Sequence, residues 1–225
     1  MITILEYTQN PLQHMGKMAS ICWNTVDQTS DTLKRIGKDC LISGHYRVAE
    51  FPDITIEISE YSARMIRELY VQIIGVTRLQ ESTRYVDCSN FSYYTPDSIK
   101  YSEPANYYYK NIMEQIQGCY QALVEDCKIP KQDVANILPL GMFTKVVLKI
   151  NLRALMHMFE LRLCKRALKE YRDFMIELKQ SLIELDDEWE YLCETYFLPK
   201  CKIIGYCIEQ HSCKLMPMKN EVIKE

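Results

Sequence analysis

The sequence lacks several features that would each point to a particular class of protein. Its first residues show no basic stretch followed by an apolar one, and no apolar run approaches the roughly 20 residues that a bilayer span requires. With a formal net charge of −3 over 225 residues, it also lacks the basic surplus of a nucleic-acid-binding surface. We therefore expect a cytoplasmic protein that binds neither membranes nor nucleic acid.

Common catalytic signatures are absent as well. The chain contains no Walker loop, no GxGxxG fingerprint, no Ser-His-Asp arrangement, no internal repeat and no Gly/Ser-rich linker. What it does contain is 48% hydrophobic and 25% charged residues, which is ordinary for a globular protein with one ample core. Its ten cysteines are expected to be reduced and mostly buried, because nothing in the sequence indicates secretion.

Hydrophobic periodicity predicts a mixture of strands and helices. Alternating apolar residues predict strands near residues 2–7, 54–58 and 146–150, whereas three- and four-residue spacing predicts helices over 11–26, 27–40, 62–74, 106–127 and 151–199. We interpret the chain as α+β, with one domain over residues 1–198 and a cysteine-bearing tail over 199–225.

The segment Arg78–Val86 carries the densest anion-binding chemistry in the chain. It places a carboxylate, a hydroxyl and two guanidinium groups at a predicted turn that follows a helix. Backbone amides, Ser82 and Arg84 can converge there on a phosphate or a uracil edge. The structural alternative is a capping serine and a surface salt bridge.

The helix that begins at Asn151 gives a second signal. Asn151 stands where a strand becomes a helix, so its side chain is expected to cap the first turn. At 100° per residue, Arg153 and His157 fall together on one flank, while Arg162 falls at the edge of the apolar stripe. A guanidinium at the rim of a core needs an anionic or hydrogen-bonding partner. Ordinary solvated arginines are the alternative.

Together with Gly-His-x4-Glu, of which His45 and Glu50 are part, these motifs resemble the flavin-dependent thymidylate synthase family. The matching residues are Glu-Ser-x-Arg-Tyr at 81–85 and Asn-x-Arg-x-Leu-x-His-x4-Arg at 151–162. The resemblance implies an antiparallel sheet packed with long helices, and homotetramers whose active sites are shared between subunits. It implies methylation of dUMP at C5 with methylenetetrahydrofolate as the carbon donor, FAD as the hydride carrier and NADPH as the reductant.

The resemblance also assigns roles to individual residues. Arg162 is expected to contact the uracil ring and to favour ionisation of its N3, which makes it the candidate catalytic residue. Ser82 is expected to bind the nucleotide and not to attack it. The remaining expected dUMP contacts are Gln80, Glu81, Thr83 and Arg84, and the expected FAD contacts are His45, Arg78, Asn151, Arg153 and His157.

The chain departs from the family at an important place. The family's Arg-His-Arg triplet falls on Gln72, Ile73 and Ile74, and a further family arginine falls on Ala135. These losses remove positive charge from the expected site. Two alternatives therefore stand beside the thymidylate synthase interpretation: a catalytically silent flavin- or nucleotide-binding homologue, and a related flavin-dependent enzyme that modifies C5 of another pyrimidine nucleotide.

The tail carries three thiols and an imidazole. Cys201, Cys207, His211 and Cys213 are the right types for a tetrahedral zinc site, but their spacing matches no standard Cys-x-x-Cys pair. We expect no metal here. Reduced thiols or a redox-sensitive pair are the alternatives.

Overall fold

A computed structural model of the protein describes residues 1–25, 27–72 and 74–223. Its fold is α+β, as predicted. One sheet has the strand order β1-β2-β4-β3, with β1 at Ile2–Tyr7, β2 at Asp53–Ser62, β3 at Val76–Gln80 and β4 at Phe143–Asn151. The sheet is antiparallel, because residue numbers on paired strands run in opposite directions. Backbone hydrogen bonds join residues 1 and 59 and residues 8 and 53 between β1 and β2, and residues 63 and 142 and residues 52 and 152 between β2 and β4. Between β3 and β4 they join residues 81 and 145 and residues 75 and 151.

The rest of the regular structure is helical. The α-helices of the described residues are Pro11–Cys22 (α1), Ser30–Ile42 (α2), Ala63–Leu69 (α3), Asp97–Lys100 (α4), Glu103–Glu125 (α5), Lys131–Val134 (α6), Leu152–Arg162 (α7), Lys169–Ile183 (α8), Asp187–Thr195 (α9), Lys200–Ile204 (α10) and Lys219–Val222 (α11). Short 3-10 helices cover Tyr46–Glu50 and Ala135–Ile137. Within the described part of the chain, no helix is long and apolar enough to cross a membrane.

Polar N-caps fix where several helices begin. Ser62 Oγ accepts the backbone N–H of Met65 at 3.1 Å, so α3 starts directly after β2. Asp186 accepts the N–H groups of Glu188 and Trp189 at 2.9 and 3.0 Å and starts α9. The predicted continuous helix to Pro199 is therefore wrong, because the chain leaves helical geometry after α8 and Asp186 nucleates a new helix.

The segment after α3 also differs from the prediction. Helical spacing predicts a helix to Ile74, but α3 ends at Leu69 and β3 follows. The cause is strand pairing, since the carbonyl of Gly75 accepts the N–H of Asn151 at 2.9 Å. Tertiary pairing here overrides local helix propensity. Ile73, one of the three positions that match the missing triplet, lies outside the described residues.

The chain divides into two compact units. The first contains residue 1 and residues 57–71 and 78–147, and therefore α3 to α6. Its α5 is 23 residues long, yet only Met113 and Tyr120 of that helix are buried. One cluster of buried residues in this unit consists of Cys88, Phe91, Met113, Tyr120, Val134 and Met142.

The second unit contains residues 2–56, 72–77 and 148–225. It holds α1, α2 and α7 to α11, and the rings of Phe159 and Phe197 stack in it with their centroids 4.3 Å apart. On α7, Leu152, Leu155 and Met156 are buried, as the predicted apolar stripe requires. This packing leaves the opposite flank of α7 exposed.

A buried carboxylate ties α9 to the start of α1 in this second unit. Glu188 is 1% exposed and accepts the N–H groups of Leu12 and Gln13 at 2.7 and 3.1 Å. The indole N–H of Trp189 donates to the carbonyl of Thr8 at 3.0 Å. Unpaired N–H groups at a helix N-terminus carry partial positive charge, so an anion is stabilised there.

Candidate functional site

The loop that follows β3 is a tight turn, as the sequence predicts. The carbonyl of Ser82 accepts the N–H groups of Tyr85 and Val86 at 3.1 and 3.2 Å. Its hydroxyl lies 3.4 Å from the N–H of Arg84 and accepts a bond from it. Ser82 therefore shapes its own loop. Its contact with a nucleotide stays a prediction.

Glu81 and Thr83 face a small cavity in the first unit. The backbone N–H of Glu81 donates to the carbonyl of Lys145 at 2.9 Å, which fixes the base of the loop against β4. Both residues line a cavity of about 120 Å³. Arg84 is exposed, with its guanidinium carbon 5.6 Å from the ring centroid of Tyr85. A cation therefore stands at the loop where an anionic group can reach it.

Gln80 and Arg78, at the end of β3, both contact Tyr70. The hydroxyl of Tyr70 donates to Oε1 of Gln80 at 2.6 Å, and Nε2 of Gln80 lies 3.3 Å from Oγ1 of Thr144. The guanidinium carbon of Arg78 lies 4.5 Å from the centroid of the Tyr70 ring. One aromatic side chain thus contacts two of the predicted ligand-binding residues.

Asn151 caps α7, as predicted. Its Oδ1 accepts the N–H of Ala154 at 2.9 Å. Gly75 lies against the same side chain: a Cβ at position 75 would come within 2.6 Å of the amide nitrogen of Asn151. Gly75 also has a φ of +74°, a conformation that side-chain-bearing residues rarely adopt. Glycine at position 75 therefore avoids both a strained backbone and a close contact with the capping side chain.

Arg153 and His157 lie on the exposed flank of α7, as helical spacing predicts. Nη1 of Arg153 donates to the carboxylate of Glu50, at the end of the 3-10 helix that follows His45. The structure therefore brings the segment that follows His45 next to the start of α7. The flavin contacts assigned to Arg153 and His157 stay predictions.

His45 is one of the residues that line a cavity. The cavity measures about 470 Å³ and lies within the second unit. It is lined by Trp23, Thr25, Gln28, Thr32, Arg35, Ile36, Asp39, Cys40, Ser43 and His45. An exposed indole, a guanidinium and an imidazole give it the chemistry that suits an aromatic, anionic ligand.

Arg162 ends α7 at the edge of the core, where the sequence places it. Its guanidinium carbon lies 4.7 Å from the ring centroid of Tyr171, and that ring is buried. A cation above an aromatic face is stabilised by the partial negative charge of the π-electrons on that face. Arg162 is thus held at the rim by Tyr171, in an orientation set by the packing of α7 and α8.

The predicted residues fall into two sets. Arg78 and the loop residues Gln80, Glu81, Ser82, Thr83 and Arg84 belong to the first unit. His45, Asn151, Arg153, His157 and Arg162 belong to the second. In the first unit, Tyr70 contacts both Arg78 and Gln80. In the second unit, the contacts described above join these residues to others, such as Glu50 and Tyr171.

The thiols of the tail meet a fourth thiol from α7's end. Cys201, Cys207 and Cys213 line a cavity of about 130 Å³ together with Cys164, and His211 is not among the residues that line it. Burial and the neighbouring thiols raise the pKa of Cys201, which favours its protonated form. Among the residues that the structure describes, no three Cys, His, Asp or Glu side chains could hold a metal ion, so the zinc alternative gains no support.

Sequence reasoning missed three residues at these sites. Tyr70 follows a helical pattern in the sequence, and its contact with Gln80 depends on the return of the chain through β3. Trp23 and Arg35 belong to predicted helices, but they face the cavity beside His45. Trp23 is 61% exposed in the structure, which the apolar spacing of residues 11–26 did not indicate.

The fold is α+β, and most of the predicted site residues lie at the end of β3, in the turn after it, or along α7. The chain matches the family described as "Thymidylate synthase complementing protein" over residues 3–186. This match spans most of the chain, and the protein belongs to that family.

Curated relatives agree with this placement. The chain is similar to a flavin-dependent thymidylate synthase from Pyrococcus furiosus, with 28% identity over 96% of this chain and 91% of the relative. It is 31% identical to another from Nitratidesulfovibrio vulgaris, over 81% of this chain and 76% of that relative. The similarity therefore covers nearly the whole of the chain.

A solved structure shares the fold. Thymidylate synthase X from Helicobacter pylori, crystallised with FAD and dUMP, superposes with a TM-score of 0.69 at 21% identity, covering 88% of this chain and 99% of that one. This likeness shows that the arrangement of sheet and helices is that of the family.

Proposed function

We propose that this protein is a flavin-dependent thymidylate synthase, which methylates C5 of dUMP with a methylene group from methylenetetrahydrofolate. The observation that carries the proposal is the set of residues on α7. Asn151 caps the helix, Arg153 and His157 share its exposed flank, and Arg162 ends it at the rim of the core. At this spacing, the resemblance implies flavin contacts by Asn151, Arg153 and His157 and a uracil contact by Arg162.

The residues present fit an anionic flavin cofactor. Arg153 and His157 offer a guanidinium and an imidazole on one exposed helix flank, and His45 adjoins a cavity with an indole and a second guanidinium. FAD supplies hydride chemistry that no protein side chain provides, and we take NADPH to be its reductant. The role of this protein is to bind the cofactor through these side chains and Arg78.

The nucleotide is assigned to the loop after β3 and to Arg162. Arg84 supplies an exposed guanidinium, which suits a phosphate, while Gln80, Glu81, Ser82 and Thr83 supply polar groups. Arg162, held above Tyr171, donates to the uracil ring and stabilises negative charge that develops on it. Stabilising that charge raises the nucleophilicity of C5.

We further propose a homotetramer in the cytoplasm. Helix α5 supports the assembly, because most of its 23 residues are not buried and Tyr107, Tyr108 and Ile112 expose large apolar groups.

Subunit exchange between Arg84→Ala and Arg162→Ala chains tests whether active sites are shared between subunits. Activity should partly return if the two arginines serve one site from different chains. A mixture that stays inactive and monomeric would contradict the assembly.

A catalytically silent homologue is the second candidate. It is favoured by the region of the missing triplet, where the side chain of Gln72 donates to the carbonyl of Ile74 at 3.2 Å and neither residue carries a charge. A protein that lacks this cationic chemistry can still bind a flavin or a nucleotide through the remaining residues. A third candidate keeps the flavin and acts on C5 of another pyrimidine nucleotide.

One set of measurements separates these candidates. The purified protein should show a flavin absorption spectrum, oxidise NADPH faster when dUMP is present, and form deoxythymidylate from dUMP and methylenetetrahydrofolate. A flavin spectrum with no turnover of dUMP or related pyrimidine nucleotides would support the silent homologue. A colourless protein that takes up no added FAD would contradict both flavin enzymes.

A further inference from the structure

Tyr70 contacts two side chains, Gln80 and Arg78, at the base of the loop assigned to the nucleotide. It follows directly after α3 and is half-buried. Its hydroxyl donates a hydrogen bond to Gln80, and its ring contacts the guanidinium of Arg78. The amide nitrogen of Gln80 in turn donates to the hydroxyl of Thr144. All four residues belong to the first unit.

The contact with Tyr70 sets the orientation of the Gln80 amide. A phenol hydroxyl that donates to Oε1 of Gln80 leaves Nε2 on the side of Thr144, whose side chain is buried. Burial raises the pKa of Tyr70 and the nearby Arg78 guanidinium opposes that shift, so the hydroxyl keeps its proton at neutral pH. The donor role of Tyr70 is therefore maintained under ordinary conditions.

The ring of Tyr70 restricts Arg78 in a different way. The N–H donors of a guanidinium lie in its plane. When the group contacts an aromatic face, its side chain loses much of its rotational freedom, so the directions of these donors are restricted. A side chain ordered in advance loses less conformational entropy when a phosphate binds. Tyr70 therefore orients the guanidinium of Arg78 and the amide of Gln80 at the same end of β3.

We propose that Tyr70 is a positioning residue for the phosphate-bearing ligands of this site, acting through Gln80 on the nucleotide and through Arg78 on a phosphate group. This inference rests on the function proposed above. The two contacts use different parts of the side chain: the hydroxyl serves Gln80, and the ring serves Arg78. They can therefore be removed one at a time.

Two substitutions separate the contacts. Tyr70→Phe removes the hydroxyl and keeps the ring, so we expect dUMP affinity to fall about two- to tenfold and FAD affinity to stay unchanged. Tyr70→Leu also removes the ring, so it should further weaken the ligand whose phosphate Arg78 contacts. Calorimetric titrations with dUMP, deoxyuridine, FAD and riboflavin identify that ligand, because only the phosphate-bearing member of a pair should lose affinity through Arg78.

A double-mutant cycle tests whether Tyr70 acts through Gln80. If it does, Tyr70→Phe should raise the KM for dUMP in the unmodified protein and have little further effect in a Gln80→Ala background. Tyr101→Phe and Tyr101→Leu are matched controls, because Tyr101 is an exposed tyrosine that also carries a cation, Lys100, at 5.9 Å. Neither control should change ligand affinity.

The possible failures are distinguishable. If the unmodified protein binds dUMP and Tyr70→Phe binds it equally well, the role of Tyr70 is wrong while the proposed function stands. Additive losses in the double-mutant cycle would also contradict action through Gln80. If the unmodified protein binds neither dUMP nor FAD, both the proposed function and this inference are overturned.

Discussion

Arg153 on α7 donates a hydrogen bond to the carboxylate of Glu50, which lies 103 residues earlier in the chain. The two side chains are 53% and 44% exposed, so water screens much of their attraction. Such a pair contributes little to folding stability, but it holds a long, flexible guanidinium in one direction. The contact therefore orients a cation on the exposed flank of α7.

Arg153→Ala should lower FAD affinity about tenfold, because it removes a charged donor assigned to the cofactor. Its free energy of unfolding should change by no more than about 1 kcal/mol, since the ion pair is exposed. Lys169→Ala is a matched control, because the pair between Lys169 and Asp173 is 50% and 44% exposed. Fluorescence titration with FAD and thermal unfolding of both variants provide the comparison; equal FAD affinities would argue against the assigned contact.

Arg84→Ala should separate the nucleotide from the nucleoside. A charge-assisted bond to phosphate is absent in deoxyuridine, so dUMP affinity should fall about tenfold or more while deoxyuridine affinity stays nearly constant. Lys100→Ala removes a cation that also lies near a tyrosine ring and is not assigned to the site. Calorimetry measures both ligands, and similar losses for the two would mean that Arg84 does not contact the phosphate.

Arg162→Ala should reduce kcat about 100-fold or more, because the variant loses a donor to the charge that develops on the uracil ring. The lost contact with Tyr171 should cost no more than about 2 kcal/mol of stability, so the variant should remain folded. Arg162→Lys keeps the charge and loses the planar, forked donor geometry. If the lysine variant were fully active in steady-state assays, charge alone would account for the role of Arg162.

Gly75→Ala should destabilise the protein more than a comparable change elsewhere. The new Cβ would meet the side chain of Asn151 at 2.6 Å, in a backbone with a φ of +74°. Gly205→Ala is the control, because Gly205 has a φ of +84° and no atom within 4 Å of the added Cβ. Left-handed backbone strain is common to both, so chemical denaturation should show an additional loss of about 1–3 kcal/mol for Gly75→Ala, from overpacking. Equal losses would show that the side chain of Asn151 moves aside freely.

Local patterns predicted much of this fold. The alternation through Ile54, Ile56 and Ile58 and the stripe on α7 report burial directly, and the structure buries those residues. The cap formed by Asn151 was equally predictable from the sequence, because it depends on a residue type at a strand-to-helix junction. These features involve residues that are close together in the sequence.

Contacts between distant segments were not predictable in the same way. The helical spacing after residue 69 gave no warning of β3, whose pairing with β4 depends on residues about 70 positions later. The contact of Tyr70 with Gln80 follows from that pairing and was missed with it. Likewise, no local pattern indicates that Cys164 joins the tail thiols at one cavity.

The buried carboxylate of Glu188 has a consequence for where this protein can be shortened. The family match ends at residue 186, while Glu188 and Trp189 hold α1 and the end of β1 through bonds to Leu12, Gln13 and Thr8. A polypeptide trimmed at the family boundary would leave the first turn of α1 without its counter-charge and would remove a wholly buried indole from the core. The segment that matches the family model is therefore shorter than the segment that packs into this fold.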